Sequence, residues 1–305
     1  MSGYNELIQK IKELKEEKNA IILAHNYQLP EIQDVADFVG DSLGLARKAS
    51  ETEAEIIVFC GVDFMAETAK ILSPDRIVIH PDTNAKCPMA AMVDVESLGW
   101  VKDENPQAPV VAYVNTTAAV KAETDVCCTS SNAVKVIKSL REKDIIFIPD
   151  KNLGLYAKRF IFDKNLILWP GFCPTHHKIN KEVIIALKKE HPDAEILVHP
   201  ECKPDVIDIA DHVFSTQGMV DHASNSGSKE FIIGTERELC YRLKKENPTK
   251  EFYPMEAICP NMKKITIDRV LKSLENLDPK VTLSKDIIER AKLPLERMIS
   301  IGRGD

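Results

Sequence analysis

What this chain lacks narrows its class before anything else does. No apolar run reaches membrane-spanning length; the longest, such as Ala20–Ala24 and Ile145–Ile148, are strand-length. Met1–Asn19 reads as an amphipathic charged helix without the apolar stretch of a signal peptide. Both absences point to the cytoplasm and away from a membrane partner. There is no basic block: 40 Lys and Arg face 47 Asp and Glu, a net charge of −7. That balance argues against nucleic acid or an anionic membrane surface as partner. Eight cysteines in 305 residues do not make a secreted disulfide scaffold. Low-complexity segments and long linkers are also missing. What remains is an ordinary globular composition, 44% apolar and 29% charged, long enough for two or three domains.

The strongest positive signal is a repeat. Cys87-Pro88, Cys173-Pro174 and Cys259-Pro260 recur at intervals of 86 residues. A fixed period marks a repeated structural unit. Each repeat opens with a helix and a short apolar strand: Ala20–Ala24, Val110–Val114 and Ala194–Val198. Polar triplets follow them, matched here as His25-Asn26-Tyr27, Asn115-Thr116-Thr117 and His199-Pro200-Glu201. A second segment ends in hydroxyls at Ser42, Thr129-Ser130-Ser131 and Ser215-Thr216. A further strand, a helix and a third strand lead into each Cys-Pro loop.

Near-continuous apolar strands alternating with helices predict parallel sheets covered on both faces. The expected fold is α/β: three similar α/β/α sandwich units with pseudo-threefold symmetry around a central site. Expected boundaries are 1–86, completed by C-terminal helices within 262–305, then 87–172 and 173–261. Ligands of parallel sheets bind beyond the carboxyl ends of the strands. Every polar motif above sits there.

A lone buried cysteine is usually a small core residue. That reading stands for Cys60 and Cys240, while Cys127, Cys128 and Cys202 stay open. The three Cys-Pro loops differ, because proline suits the first turn of a helix and a helix N-terminus stabilises a thiolate. Structural zinc closes with four ligands, and electron-carrier clusters use four cysteines, commonly closely spaced. Three dispersed cysteines without a fourth favour a 4Fe–4S cluster with one open iron, suited to Lewis-acid work. A repeated structural turn is the plainer alternative. A zinc-bearing structural protein, an iron–sulfur sensor and a redox carrier are the other classes weighed.

His25, Tyr27, Tyr113, Asn115, His176, His199 and Glu201 lie at strand ends or in the second Cys-Pro loop. Glu201 is the best candidate for proton transfer, with burial near imidazoles expected to tune its pKa toward neutrality. Ser42, Ser130 and Thr216 precede apolar helical patterns. They read as helix caps, as anion-binding groups, or as both. Lys263 and Lys264 read as a solvated face that could also attract an anionic substrate. Gly302–Asp305 reads as a tail.

Leu23-Ala-His-Asn-Tyr27, Gly40-Asp-Ser42, Gly61-Val-Asp-Phe-Met-Ala-Glu67 and Cys87-Pro-Met89 appear in that order. They are followed by Tyr113-Val-Asn115, Thr129-Ser-Ser-Asn132, Cys173-Pro-Thr-His176 and Val198-His-Pro-Glu201. Ser215-Thr216, Gly234-Thr-Glu236 and Cys259-Pro-Asn-Met-Lys263 complete the series. The ensemble resembles the quinolinate synthase family of bacterial and archaeal NAD biosynthesis, over nearly the whole chain. The resemblance implies a triangular three-domain fold and condensation of iminoaspartate with dihydroxyacetone phosphate into quinolinate, phosphate and water. It implies Cys87, Cys173 and Cys259 as ligands of a 4Fe–4S cluster. His25, Ser42, Tyr113, Asn115, Ser130, His199, Glu201, Ser215 and Thr216 would line the substrate site. Tyr27 and His176 would assist proton movements. A transient link to the enzyme supplying iminoaspartate would fit. Only Cys259 occurs near the C-terminus, so no local disulfide switch is expected there. A 4Fe–4S hydro-lyase acting on another hydroxy acid is the alternative.

Overall fold

The chain is described here from a computed structural model covering residues 2–305. Its strands form three four-stranded sheets. The first holds β1 (Ala20–His25), β2 (Phe38–Gly40), β3 (Ile56–Cys60) and β4 (Ile77–Ile79). The second holds β5 (Val110–Tyr113), β6 (Val126–Cys128), β7 (Asp144–Ile148) and β8 (Asn165–Leu168). The third holds β9 (Glu195–Val198), β10 (His212–Val213), β11 (Glu230–Gly234) and β12 (Glu251–Pro254). Strand order is the same in all: β2-β1-β3-β4, β6-β5-β7-β8 and β10-β9-β11-β12. All pairings within the sheets are parallel.

The layering follows from side-chain alternation. Ile22, Ala24 and Val58 pack on one face with Ile11, Val270 and Leu274. Leu23, Ile57 and Phe59 pack on the other with Leu43, Met65 and Ala69. Successive strand residues point to opposite faces, so strands apolar on both faces are sandwiched by helices. The result is three α/β/α units, as the apolar strand pattern predicts.

An aspartate pins each unit in the same way. Asp37 accepts the Ile22 N–H at 2.7 Å, Asp125 that of Val110 at 2.7 Å, and Asp211 that of Ile196 at 2.8 Å. Each returns its own N–H to the same residue's carbonyl at 2.9, 3.1 and 3.0 Å. This ties the first strand of the unit to the approach of the second, and it fixes which residues are equivalent. Three residues beyond the clamped position stand His25, Tyr113 and His199. Two further on stand Tyr27, Asn115 and Glu201. The sequence matching of Asn115 with His25 is thus two residues out of register; Tyr113 holds that place.

The C-terminal helices diverge in placement. Ile267–Asn276 buries Val270 and Leu274 against the first unit's core. Lys285–Ile301 buries Ala291, Leu295 and Met298 where the first and second units meet. Beyond it, the expectation of a tail fails. Gly302, at φ 75°, turns the chain inward. Arg303 then forks onto the Asp41 carboxylate at 2.7 and 2.8 Å. The Gly304 N–H donates to the Ser131 carbonyl at 2.8 Å. Asp305 accepts the Ser215 N–H at 2.8 Å. Each contact reaches a different unit, and none leaves a periodic pattern in the sequence. Among the described residues, no helix is long and apolar enough to cross a membrane.

Candidate active site

The carboxyl ends of the three sheets converge on one cavity of about 160 Å³. Residues of all three units line it, including Cys87, Cys173 and Cys259. His25, Tyr27, Ser42, Tyr113, Asn115, Ser130, His176, His199, Glu201 and Thr216 are also on its wall. Ser215 is not. Its hydroxyl accepts the Gly218 N–H at 3.2 Å, and its own N–H is held by Asp305.

Helix capping explains how the hydroxyls come to face inward. Asp41, not Ser42, caps the helix Ser42–Glu51 by accepting the Gly44 N–H at 2.8 Å. Ser215, not Thr216, caps Thr216–Asn225. Asn132 takes the Thr129 N–H at 2.7 Å ahead of Ala133–Ser139. Asp41 and Ser215 lie beside the hydroxyls expected to do that work, and the Asn132 side chain turns back to Thr129 rather than capping its helix, which leaves Ser42, Ser130 and Thr216 on the cavity wall. Ser130 Oγ lies 3.2 Å from His199 Nε2, and Thr216 Oγ1 accepts from Asn26 Nδ2 at 2.8 Å. Asn115 Oδ1 is buried without a hydrogen-bond partner among the described residues. A buried acceptor left unpaired is costly, and a bound ligand with a donor would satisfy it.

Glu201 is the hub of the polar wall. It accepts the Tyr113 hydroxyl on Oε1, and its Oε2 lies 2.6 Å from His176 Nδ1. His176 Nε2 is 2.8 Å from Thr235 Oγ1, which is 2.6 Å from the Tyr27 hydroxyl. His176 Nδ1 also lies 3.3 Å from Cys173 Sγ. A chain of hydrogen bonds therefore runs Tyr113, Glu201, His176, Thr235, Tyr27, and passes a Cys-Pro thiol at His176. His199 stacks on His176 with ring centroids 4.5 Å apart.

Burial dominates the electrostatics. It holds His25 down to about 4 and His199 down to about 3, so both rings are neutral near pH 7. Burial raises Tyr27 and Tyr113 well above the ordinary phenol value, with the Glu201 charge adding to it. Burial also pushes the Glu201 carboxyl up, but His176 and the Tyr113 hydroxyl more than offset this and hold it ionised. The shift away from neutrality corrects the sequence expectation. Its cause is the His176 imidazole beside the carboxylate, together with donors placed on both of its oxygens.

The thiols also depart from expectation. Burial pushes Cys87 up to about 12 and raises Cys173 and Cys259. The segments after them are single turns, Ala90–Met92, Pro174–His177 and Met262–Lys264, too short for a strong dipole. Deprotonation would need a metal's own charge. Three soft sulfur donors, one per unit, on one cavity fit a group held by three thiolates. Lys263 is not solvated: its Nζ sits 2.7 Å from Glu236 Oε1 and 2.6 Å from the Tyr27 carbonyl. Thr235 was missed because a threonine after a strand-ending glycine looks like a turn residue.

Fold and cavity together define an α/β enzyme whose reaction chamber is shared by three repeated units. The family described as Quinolinate synthetase A protein matches residues 9–300. A quinolinate synthase of Thermodesulfovibrio yellowstonii is 53% identical over 299 residues, spanning 97% of this chain and 99% of that protein. That of Methanosarcina barkeri is 51% identical over 298 residues, spanning 97% and 98%. That of Dehalococcoides mccartyi is 53% identical over 301 residues, spanning 98% and 99%. The chain belongs to the quinolinate synthase family.

Proposed function

We propose that the chain condenses iminoaspartate with dihydroxyacetone phosphate to give quinolinate, phosphate and water, in cytoplasmic NAD biosynthesis. The observation carrying this reading is the Tyr113–Glu201–His176 chain beside Cys173, with His176 Nδ1 2.6 Å from Glu201 Oε2, in a cavity the three Cys-Pro thiols share. Cys87, Cys173 and Cys259 would hold a 4Fe–4S cluster, which supplies a Lewis-acidic open iron for a substrate hydroxyl or carboxylate.

The chain's own groups do the rest. Ser42, Ser130, Thr216 and the unpaired Asn115 Oδ1 bind and orient phosphate, carboxylate and imine groups. Neutral His25 and His199 donate through Nε2, because their Nδ1 atoms accept the N–H groups of Tyr27 and Glu201 at 3.2 and 3.3 Å. Ionised Glu201 takes the proton released as the carbon–carbon bond forms. His176, Thr235 and Tyr27 return protons to departing oxygens. The buried polar wall limits hydrolysis of the imine, and a transient encounter with the enzyme supplying iminoaspartate serves the same end.

Anaerobically purified protein should carry iron and sulfide at about four each per chain, and form quinolinate from the two substrates. Changing any of Cys87, Cys173 or Cys259 to Ala should remove both properties. A colourless zinc protein would end the cluster assignment. An iron-loaded protein that makes no quinolinate would end the substrate assignment.

A further inference from the structure

Each of the three Cys-Pro loops is gripped from behind by an acidic residue that the proposed reaction does not use. The Cys87 N–H donates to Asp63 Oδ1 at 3.0 Å. The Cys173 N–H donates to Asp150 Oδ2 at 3.2 Å, and the Cys259 N–H to Glu236 Oε1 at 3.2 Å. The acids precede their cysteines by 24, 23 and 23 residues. A second bond repeats beside the first. The carbonyl two residues before each cysteine accepts a backbone N–H: Ala85 from Asp63 at 2.9 Å, Gly171 from Lys151 at 2.8 Å, Ala257 from Arg237 at 2.9 Å. The residue there is small each time because the acid's segment passes close by; a Cβ on Gly171 would meet the Pro149 carbonyl oxygen.

We infer that Asp63, Asp150 and Glu236 form a threefold set of positioning residues, each accepting the backbone N–H of one cluster cysteine and holding its thiol toward the shared cavity. The inference rests on the cluster reading above. A loop already fixed at its cysteine loses less freedom when the metal group binds, and the second shell of a metal site aims its ligands in this way. The plainer role is capping of the following helix. Asp150 does accept the Asn152 and Leu153 N–H groups at 2.7 and 3.0 Å. Capping does not explain why the cysteine N–H is taken in all three units, across 23 or 24 residues each time.

The oxygen count separates the units. Asp63 takes both the Phe64 N–H, at 2.9 Å, and the Cys87 N–H on the single oxygen Oδ1. A carboxamide keeps that oxygen. Asp150 divides its work: the cap bonds fall on Oδ1 and the Cys173 bond on Oδ2. Glu236 also divides it, with Cys259 and Lys263 on Oε1 and the Glu238 N–H on Oε2. A carboxamide at either position must lose an acceptor.

The test is the rate of iron release to a chelator from the anaerobically reconstituted full chain, followed by cluster absorbance. The melting of each cluster-free protein and the electron paramagnetic resonance spectrum of each reduced cluster are recorded alongside. Asp63→Ala, Asp150→Asn and Glu236→Gln should release iron about 10–100-fold faster than wild type, with altered spectra. Asp63→Asn should hold iron at the wild-type rate and restore the spectrum. If Asp150→Asn or Glu236→Gln does not fold, the Asp63 pair decides alone. Wild-type release from folded Asp63→Ala, or equal loss from Asp63→Ala and Asp63→Asn, would overturn the inference. A wild-type chain that takes up no cluster would instead overturn the reading beneath it.

Discussion

The ends of β1 and β9 are the same turn carrying different chemistry. In each, a histidine Nδ1 accepts the N–H two residues on, at 3.2 Å for His25 and 3.3 Å for His199. Each unit is held by the same aspartate clamp, Asp37 or Asp211. The residue two places on is Tyr27 in one unit and Glu201 in the other. Burial keeps Tyr27 a neutral hydroxyl, while donated hydrogen bonds keep Glu201 an anion. The two meet at His176, which contacts both. The repeat thus copies a frame and exchanges the group it carries, so one geometry presents a phenol and a carboxylate to one chamber.

The largest effect should come from breaking the base half. Glu201→Gln keeps the shape and removes the charge. Quinolinate formation should fall about 10²–10⁴-fold, with iron content unchanged. Tyr27→Phe should lower it about tenfold, because His176 Nε2 keeps Thr235 Oγ1 at 2.8 Å. Full activity in Glu201→Gln would remove it from the reaction. Equal losses in the two variants would mean that acid and base act as one series.

The histidines sharpen the comparison through pH. Each has a folded pKa, about 4 for His25 and about 3 for His199, below the ordinary 6.5. Below pH 6.5 the unfolded chain binds protons that the folded chain refuses. Stability from each ring is therefore complete above that pH and is lost as pH falls, down to about 4 for His25 and about 3 for His199. In cluster-free protein, His25→Gln and His199→Gln should each flatten the decline in unfolding free energy over its window. The flattening should be on the order of 3–5 kcal/mol, larger and extending lower for His199. Denaturant titrations at stepped pH read this directly. Slopes identical to wild type would show that the rings titrate alike folded and unfolded.

Part of this was legible beforehand and part was not, for definable reasons. The units could be read because strands apolar on both faces are unmistakable. The cavity-wall residues could be read because they follow those strands immediately. His199 and Glu201 needed nothing more. Ser42 and Thr216 were visible as hydroxyls at helix starts, but the cap falls one residue earlier, on Asp41 and Ser215. Local pattern does not resolve that shift. Asp37, Asp125 and Asp211 look like ordinary loop aspartates singly. Only superposing the units shows them, and doing so corrects the register that placed Asn115 opposite His25. Arg303 and Asp305 were invisible, because every contact they make lies far away in sequence.

That C-terminal strap gives the smallest effect, and it bears on the same two units. Arg303 neutralises Asp41 after β2, while Asp305 holds Ser215 after β10. Asp41 is buried on the cavity wall beside Ser42, where an anionic substrate is expected to dock. An unpaired carboxylate there repels phosphate. Arg303 is a quarter exposed, so solvent screens part of the pair. Arg303→Ala should destabilise the protein by about 1–2 kcal/mol, a drop of a few degrees in Tm. It should also raise KM for the phosphate-bearing substrate several-fold, more so at low salt, with kcat little changed. Arg303→Lys should recover part of both, since a point charge replaces the fork. Asp305→Asn removes a charge from the other end of the strap, and KM should not move. A KM that rises equally in Asp305→Asn and Arg303→Ala would make the strap a simple tether between units rather than a counter-charge for Asp41.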